Sequence, residues 1–352
     1  MSAAAARYLL RPAQPADLPE LEQLARASVA GISSLPPDGE ALRERIQGSQ
    51  RSLAGAGDEP DAHYLFVLED RQQAGRLIGT AGIAASAGGG DRFYSYRNEF
   101  TVHASPALGV RNRIHTLHLS HDLTGASLLT GFYIDPAHEQ GPAAELLSRG
   151  RLLFIASFPE RFADRIASEH PGLADETGRC PFWDAVGRRF FNLDYAQAER
   201  LATGHGKAFL AELLPQSPIY VPLLDEATQW AIGQLHPVAE RPFAILLDEG
   251  FEADTWLNVF DGGPTLEARV ALLRTAQRLR SVSVLPPAAG GPPRGRVNHL
   301  VATRQPAHWR ATLLALDATA SAVSLTDAEA ALLGLAPGEA LQVSALDAEG
   351  LT

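Results

Sequence analysis

The run "SLLTGFYIDPAHEQGPAAELLSRGRLLFIASF" followed by "DRIASEH" (127–170) restricts the fold more than any other part of this chain. "SLLTGFYIDP" reads as a strand, "AHEQGPA" as a tight polar turn, and "AAELLSRGRLLFIASF" as a helix whose apolar positions fit a 3.6-residue period. "DRIASEH" then reads as a second strand, parallel to the first and reached by a helical crossover. The turn poses a chemical question, because a helix N-terminus can hold a phosphate, yet this turn contains no Lys, no Arg and a single Gly.

The flanking segments extend this unit into a mixed sheet. "RYLLRPA" is a short strand, and "PADLPELEQLARAS" is a helix with an apolar stripe at Leu18, Leu21 and Leu24. "EALRERIQGS" is a second helix, and "HYLFVLED" and "RLIGTAGIAAS" form a hairpin through "RQQAG". The expected order is β, α, α, β, β, β, α, β. Farther on, "PFWDAVGRRFFNLDYAQAERLA" and "EATQWAIGQL" read as helical, while the prolines in "GKAFLAELLPQSPIYVPLL" forbid a long helix. "RPFAILLDEGF" is a helix closed by Gly250, and "WLNVFDGGP" reads as a strand. After the Pro/Gly linker "LPPAAGGPPRG", four short strands with one helix between the last two suggest a small barrel. The expected divisions are a domain at 1–285 with an insertion at about 171–235, a linker at 286–296 and a β-rich domain at 297–352.

With 352 residues, 45% of them hydrophobic, the chain can bury one large core or two smaller ones. A net charge of −11 argues against nucleic acid or an anionic membrane as partner. Cys180 is the only cysteine, the start "MSAAAARYLLRPA" lacks the features of a signal peptide, and no apolar run reaches the roughly 20 residues needed to span a bilayer. The cytoplasm is the expected location. Lys207 is the only lysine, so a P-loop is excluded; no Gly-x-Ser-x-Gly elbow and no dinucleotide glycine spacing occurs. His115, His118 and His121 recur every third residue, a spacing that would face alternate sides of a strand, and no metal site is expected from them.

The arrangement as a whole resembles the α+β fold of the acyl-CoA-dependent N-acyltransferases (GNAT-like). There, two splayed strands admit the pantetheine arm and the following helix offers its N-terminus to the pyrophosphate. Eight blocks in order make the resemblance specific: "SSLP", "YLFVLED", "FYSYRNE", "HDLTGASLLTGFYIDP", "PFWDAVGRRFF", "LAELLPQSPIYVPLL", "IGQLHP" and "FDGGPTLEA". They resemble the arginine N-succinyltransferase family, and "NRIHTLHLSHDLTGASLLTGFY" with "AELLSRGRLLFIAS" is most similar to the alpha subunit of its two-subunit bacterial members.

The resemblance implies transfer of a succinyl group from succinyl-CoA to the α-amine of L-arginine or L-ornithine, the first step of the succinyltransferase pathway of arginine breakdown. It implies no metal or prosthetic group, and a beta subunit or further copies of the chain as partners. His236, in "GQLHP", matches the family's proton donor, and Phe132 its succinyl-CoA position, with Ile134 and Ala144 as further cofactor contacts. Ser33 and Ser34 lie in a block that covers the substrate. Arg97 and Arg179 are candidates for the succinyl carboxylate, and Glu99, Asp175 and Asp261 for the substrate guanidinium. The chain departs from the family where complete members carry Arg-x-x-Gly-x-Gly: here "EQGPAA" puts Glu139, Pro142 and Ala144 at the defining positions. An active succinyltransferase is the expected function; a non-catalytic alpha subunit supporting a beta subunit, or an N-acyltransferase with another donor, are the alternatives.

Overall fold

Apolar runs bounded by Asp, Gly and Pro build the first part of the sheet. β1 (Tyr8–Pro12), β2 (His63–Asp70) and β3 (Arg76–Ala84) run antiparallel. The computed structural model describes residues 6–27, 35, 38–55, 59, 61–175, 178–205, 210–286, 297–316 and 321–346. α1 (Leu18–Ala27) and α2 (Gly39–Ala54) lie on one face, where Leu21, Leu24, Leu42 and Ile46 pack on Leu65, Val67 and Leu77. The predicted helices and hairpin are therefore present at the places their apolar spacing indicates.

Next come two long strands that the expected order omitted, β4 (Ser95–Ser105) and β5 (Val110–Ser120), paired along their whole length. They were overlooked because their outer half is wet on both faces and carries little apolar alternation: Phe100, Val102, Leu108 and Val110 are exposed. β6 (Ser127–Ile134), α3 (Pro142–Ser157) and β7 (Arg165–Glu169) form the crossover unit, with β6 and β7 parallel as expected. The chain continues through α4 (Pro181–Ala185), α5 (Arg188–Phe191), α6 (Tyr195–His205), α7 (Leu210–Leu213), β8 (Ile219–Tyr220) and α8 (Glu226–Ala231). Phe182, Trp183, Leu210 and Val221 from these short elements gather on Tyr96, Leu117 and Leu257 as a second core.

α9 (Glu240–Glu249) ends at Gly250 with φ of 105°, the left-handed cap the sequence indicates. β9 (Glu252–Leu257) and β10 (Pro264–Arg269) follow, so "WLNVFDGGP" is not one strand: it leaves the ladder after Leu257 and turns through Asp261. α10 (Arg274–Gln277), β11 (Arg280–Leu285), β12 (Val297–Ala302), β13 (Ala311–Leu316), β14 (Ala322–Ser324), α11 (Asp327–Leu333) and β15 (Ala340–Ala345) complete the chain.

Among the described residues all fifteen strands belong to one sheet, ordered β14-β11-β15-β12-β13-β1-β2-β3-β6-β7-β10-β9-β4-β5-β8. The expected C-terminal barrel is instead an open end of this sheet, joined to it where Leu10 of β1 faces Ala311 of β13. β11, placed by the sequence on the N-terminal side of the linker, pairs with β14 and β15, because ladder partners are chosen in three dimensions and not by linker position.

The crossover helix also differs from expectation. Rather than an amphipathic stripe, α3 is buried without interruption from Ala143 to Ile155. Leu146, Leu147 and Phe154 meet the sheet-side core, α9 and α10 cover a second side, and β12 and β13 a third. Two arginines, Arg149 and Arg151, are carried into the interior with it.

Candidate active site

The β6–β7 ladder runs only from Ser127 opposite Ile166 to Leu129 opposite Ser168. β6 continues to Ile134, while β7 ends at Glu169 and His170 donates its N–H to Pro264 O at 3.0 Å. The two strands thus part over the second half of β6. In the same place the β3–β6 register shifts between Thr80/Gly82 and Tyr133/Thr130, which gives β6 an extra residue. Gly131 takes up this bulge at φ +59°, a conformation that strains any side chain. Phe132 then packs toward α3 and Tyr133 toward α1 and α2.

The turn after β6 delivers the N-terminus of α3 beside this opening. Asp135 Oδ1 accepts the Ala137 N–H at 3.0 Å, and Gly141 is the cap with Pro142 at the first helical position. Proline is suited to that position, since its missing N–H would have no intrahelical acceptor. Ala144 lies in the helical first turn and is fully buried, so its methyl group costs no backbone strain. Two of the three departures are thus compatible with a helix start that points N–H groups outward. Glu139 still places a carboxylate in the turn. Glu145, also in the first turn, is neutralised: its carboxylate accepts from Arg149 Nε and from Arg241 Nη2, each at 2.6 Å.

His236 is held at the end of β7 by interlocked backbone. Its N–H donates to Pro171 O at 2.9 Å, and Gly233 N–H donates to Gly262 O at 2.8 Å. Gly172 packs so closely on the 261–263 turn that an added Cβ would lie 2.6 Å from Asp261 O and 2.8 Å from Gly263 N. The Asp261 carboxylate, buried and raised above its ordinary pKa by that burial, accepts from Gly263 N–H at 2.8 Å and from Tyr195 Oη–H at 3.2 Å. Three loops, 170–172, 233–236 and 258–263, thereby fix one another. The His236 ring is half-buried and its pKa is lowered by desolvation. Nδ1 accepts the Val238 N–H at 3.3 Å, which leaves the proton of the neutral ring on Nε2.

Arg151 is the residue that sequence reasoning missed. It is 2% exposed, its Nε has no hydrogen-bond partner, and its guanidinium carbon sits 5.2 Å from the centroid of the Phe132 ring. Burial lowers its pKa to about 9. Nearby, His170 is pushed down to about 3, first by burial and then by the Arg151 charge; its Nε2 lies 3.2 Å from Ser168 Oγ and its ring packs edge-on to Phe243 of α9. The available signal was an arginine in the middle of the apolar helix "RLLFIAS", at a position that the helical period places on the sheet side.

Phe132 and Ile134 thus lie on the half of β6 that has parted from β7, Ala144 in the first turn of the helix that follows, and His236 against Pro171, two residues past the end of β7. Arg97 and Glu99 do not join them: they sit on β4, with β10 and β9 between it and β7. Arg97 pairs with Asp122 and with Glu99 (Nη1–Oε1 3.3 Å) and lies over the Trp256 ring. Arg179 is paired with Asp184 at 2.8 Å, and Asp175 closes the turn by accepting the Arg179 N–H. Ser33 and Ser34 lie outside the described residues. Among the described residues no group of His, Cys, Asp and Glu could hold a metal ion, and no helix is long and apolar enough to cross a membrane.

Comparison with known proteins places the chain in a family. Family models described as the arginine N-succinyltransferase beta subunit and its C-terminal domain match residues 8–275 and 280–345. The arginine N-succinyltransferase subunit alpha of Pseudomonas aeruginosa is 47% identical over 96% of this chain and 99% of its own length. The beta subunit of the same organism is 36% identical over 97% and 99%, and the Escherichia coli arginine N-succinyltransferase 36% over 98% and 99%. The solved structure of arginine/ornithine succinyltransferase subunit AI from Pseudomonas aeruginosa superposes with a TM-score of 0.86 at 45% identity, covering 97% of this chain and 100% of that one. With its acyltransferase sheet, its parted central strands and these matches along its length, the chain belongs to the arginine N-succinyltransferase family.

Proposed function

We propose that this protein transfers the succinyl group of succinyl-CoA to the α-amine of L-arginine or L-ornithine, as a cytoplasmic enzyme assembled with a beta subunit or with further copies of itself. The observation that carries this reading is His236, anchored through backbone at the end of β7 with its proton on Nε2, beside the opening between β6 and β7. Phe132 and Ile134 line the pantetheine arm, and the N-terminus of α3 faces the pyrophosphate, with Ala144 buried beneath it.

The acceptor enters as an ammonium and gives up one proton to solvent before its nitrogen attacks the thioester carbonyl. The C–N bond forms as the carbonyl becomes an oxyanion; the C–S bond then breaks, the second amine proton departs, and the thiolate is protonated to free CoA. His236 Nε2–H donates a hydrogen bond to the negative charge that develops along this path. Its lowered pKa keeps the ring neutral at pH 7, and the Val238 N–H keeps the donor face turned outward.

The test is calorimetric titration of the purified chain with succinyl-CoA, followed by thiol release with arginine and with ornithine. Binding with turnover that disappears in His236→Ala supports the enzyme. A second reading, a non-catalytic subunit that supports a beta subunit, is favoured by one feature, the Glu139 carboxylate where complete relatives carry Arg. Its signature is succinyl-CoA binding only after the partner is added.

A further inference from the structure

We propose that the Arg151 guanidinium receives the terminal carboxylate of a dicarboxylic acyl donor and thereby selects succinyl over neutral acyl groups. The proposal rests on the acyl-transfer reading above and adds to it the group that chooses the donor.

α3 brings two arginines into the interior, and they are treated differently. Arg149 is surrounded by anions, with Glu145 at 2.6 Å, Asp248 at 2.5 Å and Glu249 in direct contact. Arg151, two residues on, joins none of the ion pairs found among the described residues, and its buried Nε has no hydrogen-bond partner; the Phe132 ring lies against its charge. Leaving a cation buried and uncompensated is costly, and the cost is recovered when an anion arrives. The neighbours cannot supply one, since Phe132 and Phe243 are apolar and His170 is held neutral.

The location identifies the anion. Phe132 lies on the stretch of β6 that has parted from β7, where the acyl arm would run. A phosphate is matched to the N-terminus of α3, and Arg151 is seven residues beyond Ala144, about 10 Å farther along the axis. Beyond its phosphates, the one charged feature of succinyl-CoA is the distal carboxylate, whose two oxygens fit the guanidinium fork. Arg97 and Arg179, the two arginines named from the sequence as candidates for this carboxylate, already have carboxylate partners.

The experiment compares wild type, Arg151→Met and Arg151→Lys with succinyl-CoA and butyryl-CoA, which differ by a carboxylate against a methyl group. It also compares L-arginine with agmatine, which lacks the α-carboxylate, and records thermal unfolding. In the wild type, kcat/KM is expected to favour succinyl-CoA by about 10⁴-fold, the scale on which a site built to bind a polar group rejects the analogue lacking it. Arg151→Met collapses that ratio to within about threefold, leaves the arginine-to-agmatine ratio where it was, and melts at or above the wild-type temperature. Arg151→Lys retains part of the preference.

Equal losses with both donors and a lower melting temperature would show a structural arginine and overturn the proposal. Loss of the arginine preference with the donor preference intact would assign Arg151 to the acceptor and overturn it too. A wild type that uses both donors equally overturns the carboxylate receptor alone, whereas one that binds no acyl-CoA removes the acyl-transfer reading and this inference with it. If Arg151→Met fails to fold, the wild-type donor ratio and the Lys variant still decide.

Discussion

The Arg241 guanidinium stands 2.6 Å from the Glu145 carboxylate and so ties the segment that follows His236 to the first turn of α3. Arg241 is in α9, which begins just after the His236–Pro237 turn, and Glu145 would otherwise add a second negative charge near the helix N-terminus that the proposed function matches to phosphate. Arg241→Met is therefore expected to raise the KM for succinyl-CoA about fivefold while changing kcat less, because a weakened N-terminal field acts on binding. Initial rates at varied succinyl-CoA and saturating arginine check this; a fall in kcat with unchanged KM would contradict it.

Replacing His236 by alanine removes the Nε2 donor but none of the loop-anchoring backbone bonds. The expected loss in kcat is about 10²- to 10³-fold, the usual range for one general acid or oxyanion donor. The dissociation constant for succinyl-CoA, measured by calorimetry, should stay within about twofold, since 1.4 kcal/mol would already be a tenfold change. A parallel collapse of binding would mean that the ring holds the cofactor.

The buried His170 predicts acid sensitivity. Its folded pKa of about 3 lies below the ordinary 6.5, so below pH 6.5 the unfolded chain takes up a proton that the folded chain refuses. Stability from this group is complete above pH 6.5 and declines as pH falls toward 3, by at most about 1.4 kcal/mol per pH unit. His170→Gln, which can keep the bond to Ser168, should flatten the pH dependence of urea unfolding between pH 7 and 5. Identical slopes in the two proteins would refute the assignment.

At Glu139, removing the carboxylate should help the cofactor. Glu139→Gln is expected to tighten CoA binding about threefold at low salt, with the gain fading near 0.5 M salt as screening shortens the range of charge. Titration of CoA at both salt concentrations provides the measurement, and an unchanged affinity at low salt would place Glu139 away from the pyrophosphate.

Gly172→Ala tests the loop interlock behind His236. Its Cβ would press on the backbone of Asp261 and Gly263, which cannot rotate aside as a side chain can. The expected cost is about 2 kcal/mol in chemical denaturation, within the range for overpacking, together with a lower kcat because Pro171 carries the His236 N–H. A fully active and equally stable variant would show that the loops are independently held.

The crossover unit and the Gly250 cap were legible because they depend on local pattern: an apolar strand, a helical period and a residue tolerant of positive φ. So were the four C-terminal strands and the single helix, α11, between β14 and β15. What escaped depends on neighbours remote in sequence. β11 gives no sign that its partners lie across a Pro/Gly linker, and the β4–β5 tip has solvent on both sides and so no alternation to read. Arg151 reads as one more charged residue on a helix until α9, α10 and the C-terminal strands cover every side of α3. His236 was found through its block, but the backbone anchors that orient it join loops some 30 to 60 residues apart.

The rung between Leu10 and Ala311 has a consequence for how the protein can be cut. Gly150 of α3 lies against Leu10 and the Trp309 indole, and Trp309 in turn packs on Phe66 and Phe154. Truncation before β12 would therefore not release a minimal module; it would strip the outer wall from α3. Shortened forms are expected to be recovered as aggregates.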